Sequence, residues 1–287
     1  MKKIILALCL MLLLASCGNK QTSEEKHVKN DDPIWEKVQK DGVLVVGTSG
    51  TLIAASYYEG EGEKKDKLTG YDVEVIKEVA KRLNVDVTFE IMGIDSMLPA
   101  IKSGRIDVAV NDIEVTDKRK QQFAFSQPYK YSYATMVVRK KDNSGIESLD
   151  DLKGKKAGGG ATTIYSQIAE HFGAEIVTYG NAPNEAYLRD VHNGRTDVII
   201  NDYFLSKFGV DAFPNFDIHL HPNLKFHPSE QAVIMPKNAH KLKKEINHAL
   251  EAMREDGTLS ELAKTFYLED ASQKPEGEFT PIEGLDL

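Results

Sequence analysis

Several groupings in this 287-residue chain have residue types and spacings suited to binding chemistry. Arg119 closes the run Val115-Thr-Asp-Lys-Arg119, and its guanidinium offers a permanently charged, two-pronged fork to a planar carboxylate. On spacing alone, inside Lys118-Arg119-Lys120, it reads more readily as a solvated surface cation. Asp112 and Glu114 stand two apart after an apolar strand, and Asp202 ends another. Gly158-Gly-Gly-Ala-Thr-Thr163 precedes a helical period over 164–171. Free N–H groups at a helix start gather anions, and Thr162 and Thr163 would add hydroxyls. A glycine turn capped by threonine is the plainer alternative, and the Gly-Lys-Ser/Thr ending of a nucleotide loop is missing. His219, His221 and His227 cluster without a carboxylate or cysteine at ligand spacing, so a solvated edge strand and no metal are expected. Neither HExxH nor GxSxG occurs, and the residues call for no cofactor.

These groups need a scaffold, and the apolar pattern supplies one. A short helix over 34–40 stops at Asp41-Gly42, and 43–48 is an uninterrupted apolar strand. A helical period follows over 71–82, then a strand over 85–91, a helix over 95–102 and a strand over 106–110. Strands apolar on both faces that alternate with helices indicate α/β units on a mostly parallel sheet. Asp72 and Glu74 open the 71–82 helix, where negative charge suits the dipole. Trp35, the single tryptophan, is expected in core or cap packing.

Ser-Gly-Arg-Ile-Asp-Val-Ala-Val-Asn-Asp at 103–112 returns as Asn-Gly-Arg-Thr-Asp-Val-Ile-Ile-Asn-Asp at 193–202. Each copy follows a helical stretch, stops it at glycine, runs a strand and ends on Asn-Asp. Two halves of one architecture would set both Asn-Asp pairs at the carboxyl ends of equivalent strands, where open α/β sheets bind ligands. The β-prone run 129–140 leads into the second half, and 231–236 returns the chain to the first. The helices 239–255 and 258–266 then complete it.

Composition narrows the classes. With 36 Lys and Arg against 44 Asp and Glu, the net charge of −8 argues against a nucleic-acid binder. At 41 % apolar the chain can fill real cores, which excludes a disordered chain. Lys2 and Lys3 precede a 12-residue apolar run, 4–15, too short to span a bilayer but suited to an export signal. Leu14-Ala15-Ser16-Cys17 resembles the lipobox of bacterial lipoproteins, which implies removal of 1–16 and acylation of Cys17. The only other cysteine, Cys9, would leave with the signal, so thiol catalysis is excluded. Residues 17–32 read as a polar tether.

Leu68-Thr-Gly-Tyr-Asp-Val-Glu74, Ile94-Asp-Ser-Met-Leu-Pro-Ala100, Val115–Arg119, Phe123-Ala-Phe-Ser-Gln-Pro-Tyr129, Leu149-Asp-Asp-Leu-Lys-Gly-Lys155 and Asp256-Gly-Thr-Leu259 appear in one order. Together with the lipobox they resemble the family 3 solute-binding proteins, polar amino-acid receptors of bacterial ABC importers, with cystine-type receptors nearby. The resemblance implies an α/β, two-lobe periplasmic-binding-protein-like (type II) fold, with a hinge of two crossover strands and a ligand cleft between the lobes. Lobe one would comprise 33–134 and 232–268, lobe two 135–231, and 269–287 an acidic, loose tail. It implies that Arg119 and Thr163 take the ligand's α-carboxylate and Asp202 its α-ammonium. Ser49 matches a polar position. Asp112 and Glu114 depart from the family's small polar residues, so either their side chains point away or the ligand carries extra positive charge; a zwitterion with a cationic or polar side chain is expected. Leu52 and Ile94 stand where the family usually stacks aromatics. The expected protein is a monomeric, lipid-anchored receptor on the extracellular face of the cell membrane, working with an ABC permease and its ATPase. An enzyme on the same scaffold, dehydratase-like, and a ligand sensor are the alternatives.

Overall fold

Apolar strands and amphipathic helices alternate through residues 32–60, 67–180 and 182–285, the residues described by this computed structural model. The leader, Cys17 and nearly all of the tether expected from sequence lie outside them. The first half contains α1 (Pro33–Asp41), β1 (Val43–Thr48), β2 (Thr51–Leu52), β3 (Ser56–Glu59), β4 (Lys67–Thr69), α2 (Tyr71–Arg82), β5 (Asp86–Ile91), α3 (Ile94–Ser103), β6 (Val108–Ala109), α4 (Asp117–Gln122) and β7 (Phe123–Phe125). Strand β8 (Lys130–Arg139) carries the chain into the second half. There follow β9 (Lys156–Gly159), α5 (Ile164–His171), β10 (Glu175–Thr178), α6 (Asn184–His192), β11 (Ile199–Asp202), α7 (Tyr203–Ala212) and β12 (Ile218–Leu220). Strand β13 (Phe226–Gln231) brings it back to β14 (Ile234–Pro236), α8 (His240–Glu255) and α9 (Thr258–Tyr267).

The two lobes share one plan. The first sheet runs β5-β1-β6-β14-β7, with β5, β1 and β6 parallel and β14 antiparallel to β6. In the second, β10 pairs β9 in parallel, a bridge from Ala157 to Val198 joins β9 to β11, and β8 then β12 follow antiparallel. The same order arises twice, and the internal repeat explains it residue by residue. Gly104 and Gly194 hold φ of 73° and 71°, the left-handed conformation that stops a helix with little strain. Asp107 accepts the N–H of Val45, and its counterpart Asp197 that of Lys156, each fastening its strand to the neighbour. A cation pairs with each, Lys37 with Asp107 and Arg139 with Asp197.

Helices cover both faces of both sheets. Val75, Ile76 and Val79 of α2 pack with Leu242, Ile246 and Leu250 of α8 on one face of the first sheet, and Met97 and Ile101 of α3 on the other. In the second lobe, Ile164 and Ile168 of α5 meet Val198 and Ile200, while Leu188 and Val191 of α6 meet Val137 and Ile199. Each such side chain contributes about 1.5–3 kcal/mol on burial. The two crossover strands pair antiparallel with each other, from Lys130 opposite Gln231 to Ala134 opposite Phe226, and form the hinge.

The carboxyl-terminal segment differs from the loose tail expected from its Pro, Gly and acid content. Ala271 accepts the N–H of Tyr131, the Phe279 ring lies 5.5 Å from Tyr133, and the Thr280 N–H reaches the Lys225 carbonyl. Ile282 and Leu285 pack on the second lobe's core. Its few apolar residues fall where that lobe has apolar surface left to cover, which composition cannot reveal.

Gly70 opens α2 at φ 120°, and a Cβ there would stand 2.4 Å from the Ala55 carbonyl oxygen. Gly70→Ala should therefore cost about 3 kcal/mol of stability, read by urea unfolding.

Candidate functional site

The carboxyl ends of β1, β6, β9 and β11 face one another across a cavity of about 300 Å³ between the lobes. Of the residues singled out in the sequence, Ser49, Leu52, Ile94, Asp112, Glu114, Arg119 and Thr163 line it; Thr162 and Asp202 do not.

Arg119 sits in α4, whose N-cap Thr116 accepts the Arg119 N–H. Its guanidinium donates to the carbonyls of Glu114 (2.9 Å) and, across the cleft, Thr162 (3.4 Å). No carboxylate is paired with it among the described residues, and burial depresses its proton affinity. A partly desolvated cation held only by carbonyls is suited to an incoming anion. Opposite stands the start of α5. Thr163 caps that helix by accepting the Ser166 N–H, the plainer of its two expected roles, and it also lines the cleft. Gly159 leaves no room for a Cβ, which would meet Ser166 Oγ at 2.4 Å. Thr162 turns the other way and binds Asp95 of the first lobe through both its N–H and its hydroxyl. The Asp95 and Arg119 contacts with Thr162 thus close the cleft from both sides of one residue.

The acids are arranged differently from the sequence expectation. Asp202 caps α7 through the Leu205 N–H and has no exposed surface. Its other partner is Lys130 at the root of β8, whose ammonium lies 2.9 Å from Asp202 and 2.5 Å from Asp112. The repeated Asp residues of the two lobes therefore converge on one buried lysine. Asp72 completes the cluster by accepting the Asp112 N–H; its place at the start of a helix concealed this second task. Burial raises the Asp72 carboxyl to about 6, against the pull of Lys130. Burial first, then Asp202, push Asp112 well above the carboxylate range. Glu114 is matched by His227 of the hinge strand at 2.5 Å. Both cleft acids thus have partners within the protein, which removes the argument for extra positive charge on the ligand.

The remaining histidines have structural partners: His219 meets Asn143, and His221 meets the Ile146 carbonyl. No cluster able to hold a metal occurs among the described residues. Sequence reasoning missed Lys130, which nothing in a β-prone run distinguishes, and Asp95, which reads as an ordinary first-turn acid. It also missed Tyr165 and Tyr187, which line the second-lobe wall opposite the aliphatic Leu52, Ile91 and Ile94.

The sequence pattern of the bacterial extracellular solute-binding proteins, family 3, matches residues 44–269. The probable ABC transporter extracellular-binding protein YckB of Bacillus subtilis is 48 % identical over 277 residues, spanning 96 % of this chain and 93 % of that protein. Its crystal structure superposes with a TM-score of 0.69 at 52 % identity, covering 85 % of this chain and 98 % of that one. The L-cystine-binding protein TcyA of Bacillus subtilis is 36 % identical over 279 residues, 95 % of this chain and all of that protein. An ancestral amino acid-binding protein described as a precursor of cyclohexadienyl dehydratase superposes at 0.71 with 26 % identity, covering 81 % of this chain and 98 % of that one.

Asp72 supplies a pH test. Its folded pKa exceeds the unfolded value, so its contribution to stability is full below about pH 4 and is lost as pH rises through about 6. Relative to wild type, Asp72→Asn should gain on the order of 2 kcal/mol between pH 4 and 7, read from urea midpoints.

Proposed function

This chain belongs to the bacterial extracellular solute-binding proteins of family 3, and from that premise we propose that it is the lipid-anchored receptor of an ABC importer, capturing a polar amino acid and delivering it to the permease. The observation that carries this reading is Arg119, a cation without a carboxylate partner on the wall of a cleft between two lobes. A ligand carboxylate would take the guanidinium, and the start of α5 opposite would add N–H groups. Leu52, Ile91 and Ile94 on one wall with Tyr165 and Tyr187 on the other favour a sulfur-containing side chain, cystine among the candidates, over a cationic one. TcyA, named for L-cystine binding, supports the same class. A ligand touching both lobes stabilises the closed form, which the permease would read before its ATPase, on another chain, drives transport. The receptor works as a monomer and releases its ligand unaltered. The sequence relatives YckB and TcyA, both named as binding proteins, support this over a dehydratase-like activity. Cys17, acylated after removal of 1–16, would hold it at the extracellular face of the cell membrane.

Thermal unfolding with L-cystine and the common amino acids tests the capture step. A ligand at 100 times its Kd adds about 2.7 kcal/mol, a shift of a few degrees at this size. Arg119→Ala should remove that shift while leaving the unliganded midpoint close to wild type; stabilisation by no amino acid would overturn the proposal.

The anchor has a separate test. Radiolabelled palmitate should enter the wild-type protein in bacterial cells and be absent from Cys17→Ser.

A further inference from the structure

Amino-acid capture as proposed gives no task to Lys130, yet this residue occupies the point where the two lobes' repeated acids meet. Its side chain has no exposed surface, its ammonium touches Asp112 and Asp202, and the Phe204 and Tyr267 rings lie 5.4 and 5.1 Å from it. Such a seat, with two carboxylates and two aromatic faces, is what a ligand ammonium would require. Here the chain fills it with its own cation. Asp202 is sealed beneath the cleft and does not line it, so a ligand cannot reach this acid without displacing Lys130.

We infer that Lys130 acts as a built-in ammonium that determines specificity: the cleft selects the carboxylate of its ligand, and the amino group at C2 is dispensable. The substrate class is then 2-substituted carboxylic acids, with 2-oxo and 2-hydroxy acids binding alongside the amino acids that share their side chains. This rests on the solute-binding reading and deepens it.

The cleft wall carries the same implication. Asp112 is the one member of the cluster that lines the cavity, and its Oδ2 is buried without a partner. Three carboxylates, Asp72, Asp112 and Asp202, share a single ammonium, and burial, then Asp202, push the Asp112 carboxyl well above the ordinary carboxylate range. A carboxyl shifted toward its neutral form offers a ligand ammonium less than a free carboxylate would. Glu114, the other cleft acid, is matched by His227.

Calorimetric titration of the protein with side-chain-matched sets tests this directly. Suitable sets are L-methionine with its 2-oxo and 2-hydroxy analogues, L-leucine with 4-methyl-2-oxopentanoate, and L-cysteine with 3-mercaptopyruvate. In the best-binding set, the oxo or hydroxy acid should bind within about fivefold of the amino acid, under 1 kcal/mol apart. Lys130→Met empties the seat, and in it the amino acid should bind at least about twentyfold tighter than the oxo acid. If wild type binds amino acids while their oxo and hydroxy analogues are more than about fiftyfold weaker, the inference falls and the receptor reading stands. If neither class binds, both fall. The wild-type comparison decides the matter even if Lys130→Met does not fold.

Discussion

An ammonium removed from water requires carboxylates around it, and a carboxylate removed from water requires a cation or a proton. The cluster of Lys130, Asp112, Asp202 and Asp72 satisfies both demands only if three distant chain segments arrive at one point. The hinge strand brings the lysine, and each lobe brings the acid that ends its repeated strand. Removing either partner alone would leave an uncompensated charge at a cost of about 3–5 kcal/mol. Position at the base of the cleft thus joins folding to the proposed recognition: the charges that pin the lobes together are the ones that would decide what charge the cleft still needs.

Above that floor the cleft is mostly apolar, with one strong cation. Arg119 is oriented by two carbonyls, one from its own lobe and one from the opposite lobe, so its fork is positioned without being neutralised. Thr162 gathers contacts from both Arg119 and Asp95. In the receptor proposed above, closing the lobes would assemble the anion site and exclude water from it in the same movement, which would strengthen every charge interaction inside.

Much of this was legible in the sequence because the underlying physics is local or repeated. The ten-residue repeat exposed the two-lobe plan, since Gly104 and Gly194 stop helices and Asp107 and Asp197 fasten strands by the same bonds. The Gly158–Thr163 turn showed its capping role in its composition. What escaped was non-local. Lys130 lies in a run of tyrosines and β-branched residues, and only the tertiary fold shows that its flanking acids come from 18 residues upstream and from the far lobe. Asp112 and Glu114 looked like free acids because their partners, Lys130 and His227, belong to the hinge strands. The carboxyl-terminal segment looked loose because its scattered apolar residues do not form a period, although Phe279, Ile282 and Leu285 match the surface beneath them.

That last segment has a practical consequence. Helix α1 enters on the first lobe, beside β1 and α8, whereas Ile282 and Leu285 end on the second. The described chain begins on one jaw and ends on the other. A pair of fluorophores at the exposed residues 33 and 283 would turn opening and closing of the jaws into a change in energy transfer, making the protein a ratiometric reporter with no insertion into either core.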